Sequence, residues 1–397
     1  MISERVKNMQ ASPIRKLVPF ADEAKAKGIN VYHLNIGQPD IKTPESILNA
    51  IKNFSSEIIA YGYSQGEPFL RKAISDYFKK YDAIVSPDDM IITTGGSEAI
   101  LFAFSVVGDT DDEIIVFEPY YTNYNGYAAM SNIKLVPVTT KAEDGFALPT
   151  SKEIEKKINK KTKAILICSP NNPTGTIYPE KDLLRITEIA KKHNLFIISD
   201  EVYREFVYGD IKYRSMLNFD DVKDRVIVVD SISKRYSACG ARIGYIISKN
   251  KEIMEGVMKL AQARLCPPVV EQVAATAAYK MDFGYFKEVQ QEYKKRRDIM
   301  FNSLKNVEGV ILEKPQGAFY MVVKLTVDDS EDFAKWLLKD FHYNNETVMV
   351  APAGGFYATK GKGKDEIRLA YVLEERKLIN AMRILKEALK KYPGTKR

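Results

Sequence analysis

Seven short apolar runs, separated by helical stretches, constrain the fold of this chain more than any other feature of its sequence. Short runs of Val, Ile, Leu and Phe bounded by turn residues are typical of strands buried in a sheet. Strands that alternate with helices form a mostly parallel sheet, and ligands bind at the carboxyl ends of its strands. We therefore predict an α/β fold. The predicted strands are residues 91–94, 114–117, 134–138, 164–168, 195–199, 226–230 and 243–248.

The length and composition exclude several other classes of protein. At 397 residues the chain suits one large domain plus a smaller one. Its 45% apolar and 28% charged residues are typical of a soluble globular protein. No apolar run is long enough to cross a bilayer, and the first residues lack the apolar core of a secretory signal. Because three cysteines are too few for a disulfide framework, we predict a cytoplasmic protein without a membrane partner.

The net charge of +7 raises the alternative of nucleic-acid binding. Lys and Arg are nevertheless interspersed with Asp and Glu along most of the chain. The densest basic runs, residues 294–297 and 390–397, are short, and we interpret them as a solvated helix face and a frayed terminus. The three histidines show no metal-like spacing to the cysteines. We therefore predict neither a nucleic-acid partner nor a metal site.

The most informative stretch is residues 230–244, which directly follows the apolar run 226–229. It carries Ser231, Ser233, Lys234 and Arg242 among small residues. An amine beside groups that bind anions suits an aldehyde cofactor with a phosphate, because the amine forms a Schiff base while the guanidinium and the hydroxyls bind phosphate oxygens. For a lone lysine, a solvated Lys-Arg pair in a loop is the better interpretation. The pattern Ser-x-Ser-Lys followed by Gly-x-Arg-x-Gly is too particular for that alternative.

This pattern resembles the lysine signature of fold-type-I pyridoxal-phosphate enzymes, in the class I/II aminotransferase family whose members are aspartate aminotransferase-like. The resemblance implies pyridoxal 5'-phosphate as cofactor. It also implies a large domain with a mostly parallel seven-stranded sheet flanked by helices, plus a smaller α+β domain. The implied domain limits are 1–44 for an N-terminal arm and part of the small domain, 45–285 for the large cofactor-binding domain and 286–397 for the small C-terminal domain.

A second phosphate-binding element is the strand-turn-helix motif that contains Gly95, Gly96 and Ser97. Unpaired N–H groups and the helix dipole favour an anion at such a helix start, and the glycines let the backbone approach it closely. Together with Arg242, this motif completes the predicted phosphate-binding site.

The spacing Tyr-x4-Gly-x3-Leu-Arg that begins at Tyr61 also matches the family. The resemblance implies that Tyr61 reaches the cofactor phosphate of a partner subunit, and hence a homodimer with shared active sites. A loop tyrosine packed on its own domain is the alternative.

Four residues after predicted strands correspond to the family's contacts with the cofactor ring. The resemblance places Tyr121 on the ring face, Asn172 and Tyr203 at the phenolic oxygen and Asp200 at the pyridine nitrogen. A carboxylate at that nitrogen makes the ring an electron sink. The alternatives are an aromatic cluster of the domain core for Tyr121 and a helix cap for Asp200.

The substrate contacts implied by the resemblance are Gly37, Asn172 and Arg368. The planar guanidinium of Arg368 would bind the α-carboxylate. An acidic substrate needs a second cation at its other end, for which Arg15 and Arg264 are the candidates in this sequence.

The resemblance, from Gly37 to Arg368, implies an aminotransferase that moves the α-amino group of an amino acid to a 2-oxo acid. Lys234 would be both covalent anchor and general base. Substrates of aspartate or glutamate type, with 2-oxoglutarate as acceptor, are one possibility, and aromatic and aliphatic donors remain open. The alternatives are a C–S β-lyase of the same fold and, from another class, a non-catalytic cofactor-binding regulator.

Overall fold

The computed structural model describes residues 2–396, in which twelve strands form three sheets and fourteen α-helices pack around them. Met1 and Arg397, which the first and last predicted segments include, lie outside the described residues. The strands are β1 (Asn30–His33), β2 (Met90–Thr94), β3 (Glu113–Glu118), β4 (Lys134–Thr139), β5 (Thr162–Cys168), β6 (Phe196–Asp200), β7 (Val226–Ser231), β8 (Ile243–Ile247), β9 (Tyr320–Lys324), β10 (Glu346–Met349), β11 (Ala351–Pro352) and β12 (Glu366–Ala370).

The helices lie before, between and after these strands. They are α1 (Glu4–Lys7), α2 (Val18–Ala26), α3 (Glu45–Lys52), α4 (Pro68–Phe78), α5 (Gly95–Val107), α6 (Asn123–Met130), α7 (Ser151–Glu155), α8 (Glu180–His193), α9 (Ile232–Arg235), α10 (Lys251–Arg264), α11 (Val269–Tyr279), α12 (Gly284–Leu304), α13 (Ser330–Lys339) and α14 (Glu375–Lys391).

The central sheet has seven strands in the order β2-β8-β7-β6-β5-β3-β4. The contiguous strands β7, β6, β5, β3 and β4 are mutually parallel, whereas β8 is antiparallel to both of its neighbours. The apolar runs of this sheet are buried because helices cover both of its faces. The side chains on the two faces form two separate hydrophobic clusters. The prediction of an α/β fold with a mostly parallel seven-stranded sheet is confirmed.

Two smaller sheets combine the beginning and the end of the chain. Strand β1 pairs in parallel with β10, and β12 lies between β11 and β9. Strands β1, β9, β10 and β12 share one hydrophobic cluster with α12, α13 and α14. The division into segments 1–44, 45–285 and 286–397 stays a prediction.

The interpretation of residues 294–297 as a solvated helix face is wrong for its second half. Arg296 and Arg297 are buried, because they lie on the same face of α12 as the buried Tyr293 and Met300. Arg296 donates to Asp40 Oδ1 at 2.5 Å, so this face connects α12 to the N-terminal segment.

The prediction of a frayed C-terminus is also wrong within the described residues. Helix α14 continues to Lys391, Thr395 forms a β-bridge with Val327, and the Lys396 N–H donates to the carbonyl of Thr326 at 2.8 Å. None of the helices within residues 2–396 is long and apolar enough to cross a membrane.

Candidate active site

A cavity of about 610 Å³ opens where strands β5, β6 and β7 end and the chain of β12 passes opposite them. The structure brings twelve of the fourteen predicted site residues to its wall. They are Gly37, Gly96, Ser97, Tyr121, Asn172, Asp200, Tyr203, Ser231, Ser233, Lys234, Arg242 and Arg368. Gly95 lies directly behind this wall, and Tyr61 is 82% exposed and does not line the cavity of its own chain.

Lys234 enters the cavity from the short helix α9. The hydroxyl of Ser231 caps this helix by accepting from the Ser233 N–H at 3.0 Å, and the two serine hydroxyls are 2.7 Å apart. Lys234 Nζ donates to the carbonyl of Gly37 at 2.9 Å and lies 3.8 Å from Cys239 Sγ. The amine is therefore held at the cavity wall with no carboxylate among its hydrogen-bond partners in the described chain.

The positive end of the cavity depends on close approaches at two glycines. A Cβ on Gly95, which has φ +74°, would lie 2.3 Å from Arg242 Nη2. A Cβ on Gly244 would lie 2.4 Å from the backbone carbon of Gly95, so glycine is required at both positions. These contacts bring the guanidinium of Arg242 to the N-terminus of α5, where the helix dipole also favours an anion.

Asp200 ends β6 and is buried at the cavity wall. The hydroxyl of Tyr124 donates to Asp200 Oδ2 at 2.6 Å, and the Val202 N–H donates to Oδ1 at 3.3 Å. Burial raises the pKa of Asp200 to about 6, although the bond from Tyr124 opposes this rise. Sequence reasoning missed Tyr124, since it is one of several tyrosines after β3 and only the fold selects the one that meets Asp200. The ring of Tyr121 packs edge-on against the ring of Tyr124, with 5.4 Å between the ring centroids.

A row of hydrogen bonds connects Asn172 to two phenols. Asn172 Nδ2 donates to the Tyr203 hydroxyl at 3.3 Å, and that oxygen is 3.0 Å from the Tyr320 hydroxyl. Tyr320 was not predicted, because no motif surrounds it and it joins the site through β9. A Cβ on Gly37 would lie 1.7 Å from the Tyr320 oxygen. In this structure Gly37 is therefore required by the contact with Tyr320.

Arg368 projects from β12 and is buried beside Tyr320. Its Nη1 donates to Asn172 Oδ1 at 3.2 Å and its Nη2 to the carbonyl of Asn35 at 2.5 Å. Both acceptors are neutral amide oxygens, so its charge is available for an anion. Burial lowers the pKa of Arg368, as expected for a cation that lacks an anionic partner.

The two candidate cations for a second substrate carboxylate differ in position. Arg15 lines the cavity, next to Ile14 and Val18. Arg264 does not line it: its Nη2 donates to the carbonyls of Ser64 and Ile92 at 3.1 and 3.3 Å, and its Nη1 lies 3.4 Å from Glu98 Oε2. Within one chain, only the first of them faces the site.

The residues present fit the aldehyde cofactor that the sequence pattern implies. The cavity has a cationic and hydroxyl-rich end for a phosphate in Arg242, Ser231 and the start of α5, an amine for the aldehyde in Lys234, and a buried carboxylate in Asp200. Clashes of 2.3 to 2.4 Å for any Cβ added at Gly95 or Gly244 show that the phosphate end is built at closest approach. We therefore conclude that the donor set suits a phosphorylated pyridine aldehyde.

Comparisons with known proteins agree with this geometry. The family model described as "Aminotransferase class I and II" matches residues 29–385. An aspartate aminotransferase of Pyrococcus horikoshii is 33% identical over 98% of this chain and 97% of its own length. The crystal structure of an aspartate aminotransferase from Thermotoga maritima superposes with a TM-score of 0.90, at 31% identity, over 98% of this chain and 100% of that one. An alanine aminotransferase structure from Pyrococcus furiosus gives a TM-score of 0.90 at 34% identity, again over 98% and 100% of the two chains.

Proposed function

The chain belongs to the aminotransferases of class I and II, and on this premise we propose that it transfers the amino group of a dicarboxylic amino acid to 2-oxoglutarate. It is a pyridoxal-phosphate-dependent transferase of nitrogenous groups that acts on amino acids and 2-oxo acids. The β-lyase and the non-catalytic regulator are not favoured, since the relatives reported above are all described as aminotransferases.

The observation that carries the reaction is the position of Lys234 and Arg368 on one cavity wall. Arg368 would bind the α-carboxylate with its buried charge, and Asn172, which already accepts from Arg368, would keep the guanidinium in place. Lys234 Nζ would be the amine that holds the cofactor. Once the substrate amino group replaces it there, the freed amine would accept the α-proton of the substrate and return it.

The bound cofactor supplies an electron sink for the negative charge that develops at the substrate α-carbon. Asp200 would hold a proton on the pyridine nitrogen, with Tyr124 donating to the carboxylate that does so. Gly96, Ser97, Ser231, Ser233 and Arg242 would bind the phosphate, and Gly95 would leave room for the Arg242 guanidinium behind them. Tyr121 would pack on the ring, and Tyr203 would donate to its phenolic oxygen.

Arg15 supports the choice of a dicarboxylic substrate. It is exposed at the cavity wall, whereas its neighbour Lys16 forms an ion pair with Glu331. A guanidinium at this position suits the distal carboxylate of aspartate, glutamate or 2-oxoglutarate.

A homodimer with shared active sites and a cytoplasmic location are further parts of the proposal. Tyr61, Ile58 and Ile59 are 82%, 76% and 67% exposed, and such neighbouring exposed apolar side chains favour a protein partner. The three cysteines are unpaired among residues 2–396, as in proteins of a reducing compartment.

The experiment is a panel of amino acids added singly to the cofactor-loaded protein, with the 2-oxo acid measured. We expect stoichiometric 2-oxo acid from aspartate and glutamate. In Arg15→Met, kcat/KM for these donors should fall by about ten- to a hundredfold, because a hydrogen bond to a charged group contributes about 1.5–3 kcal/mol. For alanine and for leucine, kcat/KM should be the same in Arg15→Met as in the unsubstituted protein. Lys16→Met is the matched control and should change neither class.

Two outcomes would contradict the proposal. Pyruvate and ammonia released from a β-substituted donor, with no 2-oxo acid from any other, would identify a lyase. Equal losses for dicarboxylic and monocarboxylic donors in Arg15→Met would show that Arg15 does not bind the distal carboxylate.

A further inference from the structure

Arg235 follows Lys234 directly, yet it has no exposed surface. Helix α9 presents Lys234 to the cavity and buries Arg235 against strands β7 and β8 and helix α11. The sequence pattern is compatible with a solvated Lys-Arg pair, but a fully buried arginine must find several acceptors. A role as a solvated charge on a surface loop therefore does not explain why Arg235 is buried.

Arg235 is fixed by contacts along its whole guanidinium. Nη2 donates to both carboxylate oxygens of Asp230 at 2.6 Å each. Nη1 donates to the hydroxyls of Tyr245 and Tyr279 at 3.1 and 3.2 Å, and Nε lies 3.0 Å from Glu205 Oε2. Contacts from every side leave this side chain one orientation.

Asp230 is in turn fixed by the sheet. It belongs to β7, its Oδ1 accepts from the Ser231 N–H at 2.6 Å, and its Oδ2 accepts from the Tyr245 hydroxyl at 2.7 Å. Arg204 Nη2 lies 3.1 Å from Oδ2. We call Glu201, Arg204, Glu205, Asp230 and Arg235 the buried ion cluster.

Helix α9 needs such an anchor because it has only four residues. One helical turn is not stable by its own hydrogen bonds. The residues after it, Tyr236 and Ser237, leave the helical conformation, since Ser237 has φ +49°. The orientation of the turn is therefore determined by what its side chains contact.

We propose that Arg235 is a positioning residue, which holds the helical turn of Lys234 in the orientation that catalysis needs by its fork of hydrogen bonds to Asp230, Tyr245 and Tyr279. The inference rests on the proposed role of Lys234. Arg235 touches neither the cavity nor the substrate, so it acts only through the adjacent lysine. Displacement of a reacting group by about 1 Å costs on the order of a hundredfold in rate.

The test compares Arg235→Lys with Arg204→Lys in the cofactor-loaded protein. Both arginines are fully buried and both contact Asp230, but only Arg235 lies on the turn of Lys234. Both variants keep the positive charge, so a difference between them reports the lost fork and not a changed field. We expect kcat of Arg235→Lys to fall by about ten- to a hundredfold with KM within about threefold, and kcat of Arg204→Lys to stay within about threefold.

A spectroscopic measurement separates position from turnover. The induced circular dichroism of the bound cofactor's visible band reports how rigidly the cofactor is held in an asymmetric site. We expect it to fall by half or more in Arg235→Lys and to persist in Arg204→Lys. If the unsubstituted protein shows this band but transaminates no donor, the proposed function fails while the comparison of the two bands still tests Arg235.

Parallel losses in both variants, in step with their melting temperatures, would overturn the proposal, because they would show a structural role only. Unchanged kcat and unchanged dichroism in Arg235→Lys would overturn it as well. If Arg235→Lys does not fold, Tyr279→Phe removes one bond of the fork without changing any charge. It should lower kcat by more than the threefold allowed for Arg204→Lys, at an unchanged melting temperature, and a kcat within that limit would again refute the role.

Discussion

Replacing Glu205 with glutamine should stabilise this protein at alkaline pH and leave it unchanged at acidic pH. The buried ion cluster holds three carboxylates and only two guanidiniums, so the negative charge of one carboxylate is not neutralised by a guanidinium of its own. Glu205 is that one, since Asp230 takes the bidentate contact with Arg235 and Glu201 pairs with Arg204 at 2.7 Å.

The magnitude follows from the pKa of this group. Burial raises the pKa of Glu205 from an ordinary 4.5 to about 7, against the opposing charge of Arg235. The folded protein thus binds this proton more tightly than the unfolded chain. The stabilisation is complete below pH 4.5 and is lost as the pH rises through about 7. A difference of this size corresponds to a free energy of unfolding on the order of 3 kcal/mol.

Glutamine mimics the protonated carboxyl and does not titrate, so Glu205→Gln keeps this stabilisation at high pH. At about 2.1 cal/mol/K of unfolding entropy per residue, the whole chain has about 0.8 kcal/mol/K. The melting temperature of Glu205→Gln should therefore exceed that of the unsubstituted protein by about 4 °C at pH 8 and by less than about 1 °C at pH 4.

The assay is scanning calorimetry of both proteins, loaded with cofactor, between pH 4 and pH 8. Glu201→Gln is the matched control, because Glu201 is equally buried but accepts from Arg204, Ser215 and Met216. It should destabilise by about 3–5 kcal/mol at every pH. A gain in Glu205→Gln that is the same at pH 4 and pH 8, or a loss at pH 8, would refute the reasoning.

Two further predictions concern the phosphate end and the partner subunit. Gly244→Ala should weaken cofactor binding at least tenfold in a fluorescence titration, because the added Cβ meets backbone atoms of Gly95 and Gly96 at 2.4 and 2.6 Å. Gly240→Ala, which meets nothing within 4 Å, should bind normally, and equal affinities in the two would contradict the argument. The protein should sediment at twice its 45.0 kDa chain mass, and Tyr61→Phe should weaken cofactor binding without dissociating the dimer. A single 45.0 kDa species would refute the shared site.

The sequence predicted the central sheet well because its signals are local. Buried runs such as β5 and β7 are apolar over most of their length, and the residues that follow them are polar. Parallel strands place those polar ends at one edge, so the order of runs and polar residues along the chain is enough to predict that Asn172, Asp200 and Lys234 lie close together.

The contacts that were not predicted join residues far apart in the chain. Tyr320 meets Tyr203 across 117 positions, and Arg296 meets Asp40 across 256. Arg235 looks like a surface residue in any local window, and only Asp230 and Glu205, brought together by the sheet, make its burial possible. No pattern of spacing reports such partners, because side-chain contact depends on tertiary packing and not on local propensity.

The parallel pair of β1 and β10 has a consequence for how the protein is made. Asn30 can pair only after Glu346 has been synthesised, and Glu346 is 316 residues later in the chain. At about 5–20 residues per second, the ribosome takes about 15 to 60 seconds to supply the partner strand. During that time the backbone of β1 has no strand beside it, and the apolar Val31 and Tyr32 have none of their final cover from β10. Strand β1 thus leaves the ribosome before the other described strands and is among the last of them to be paired.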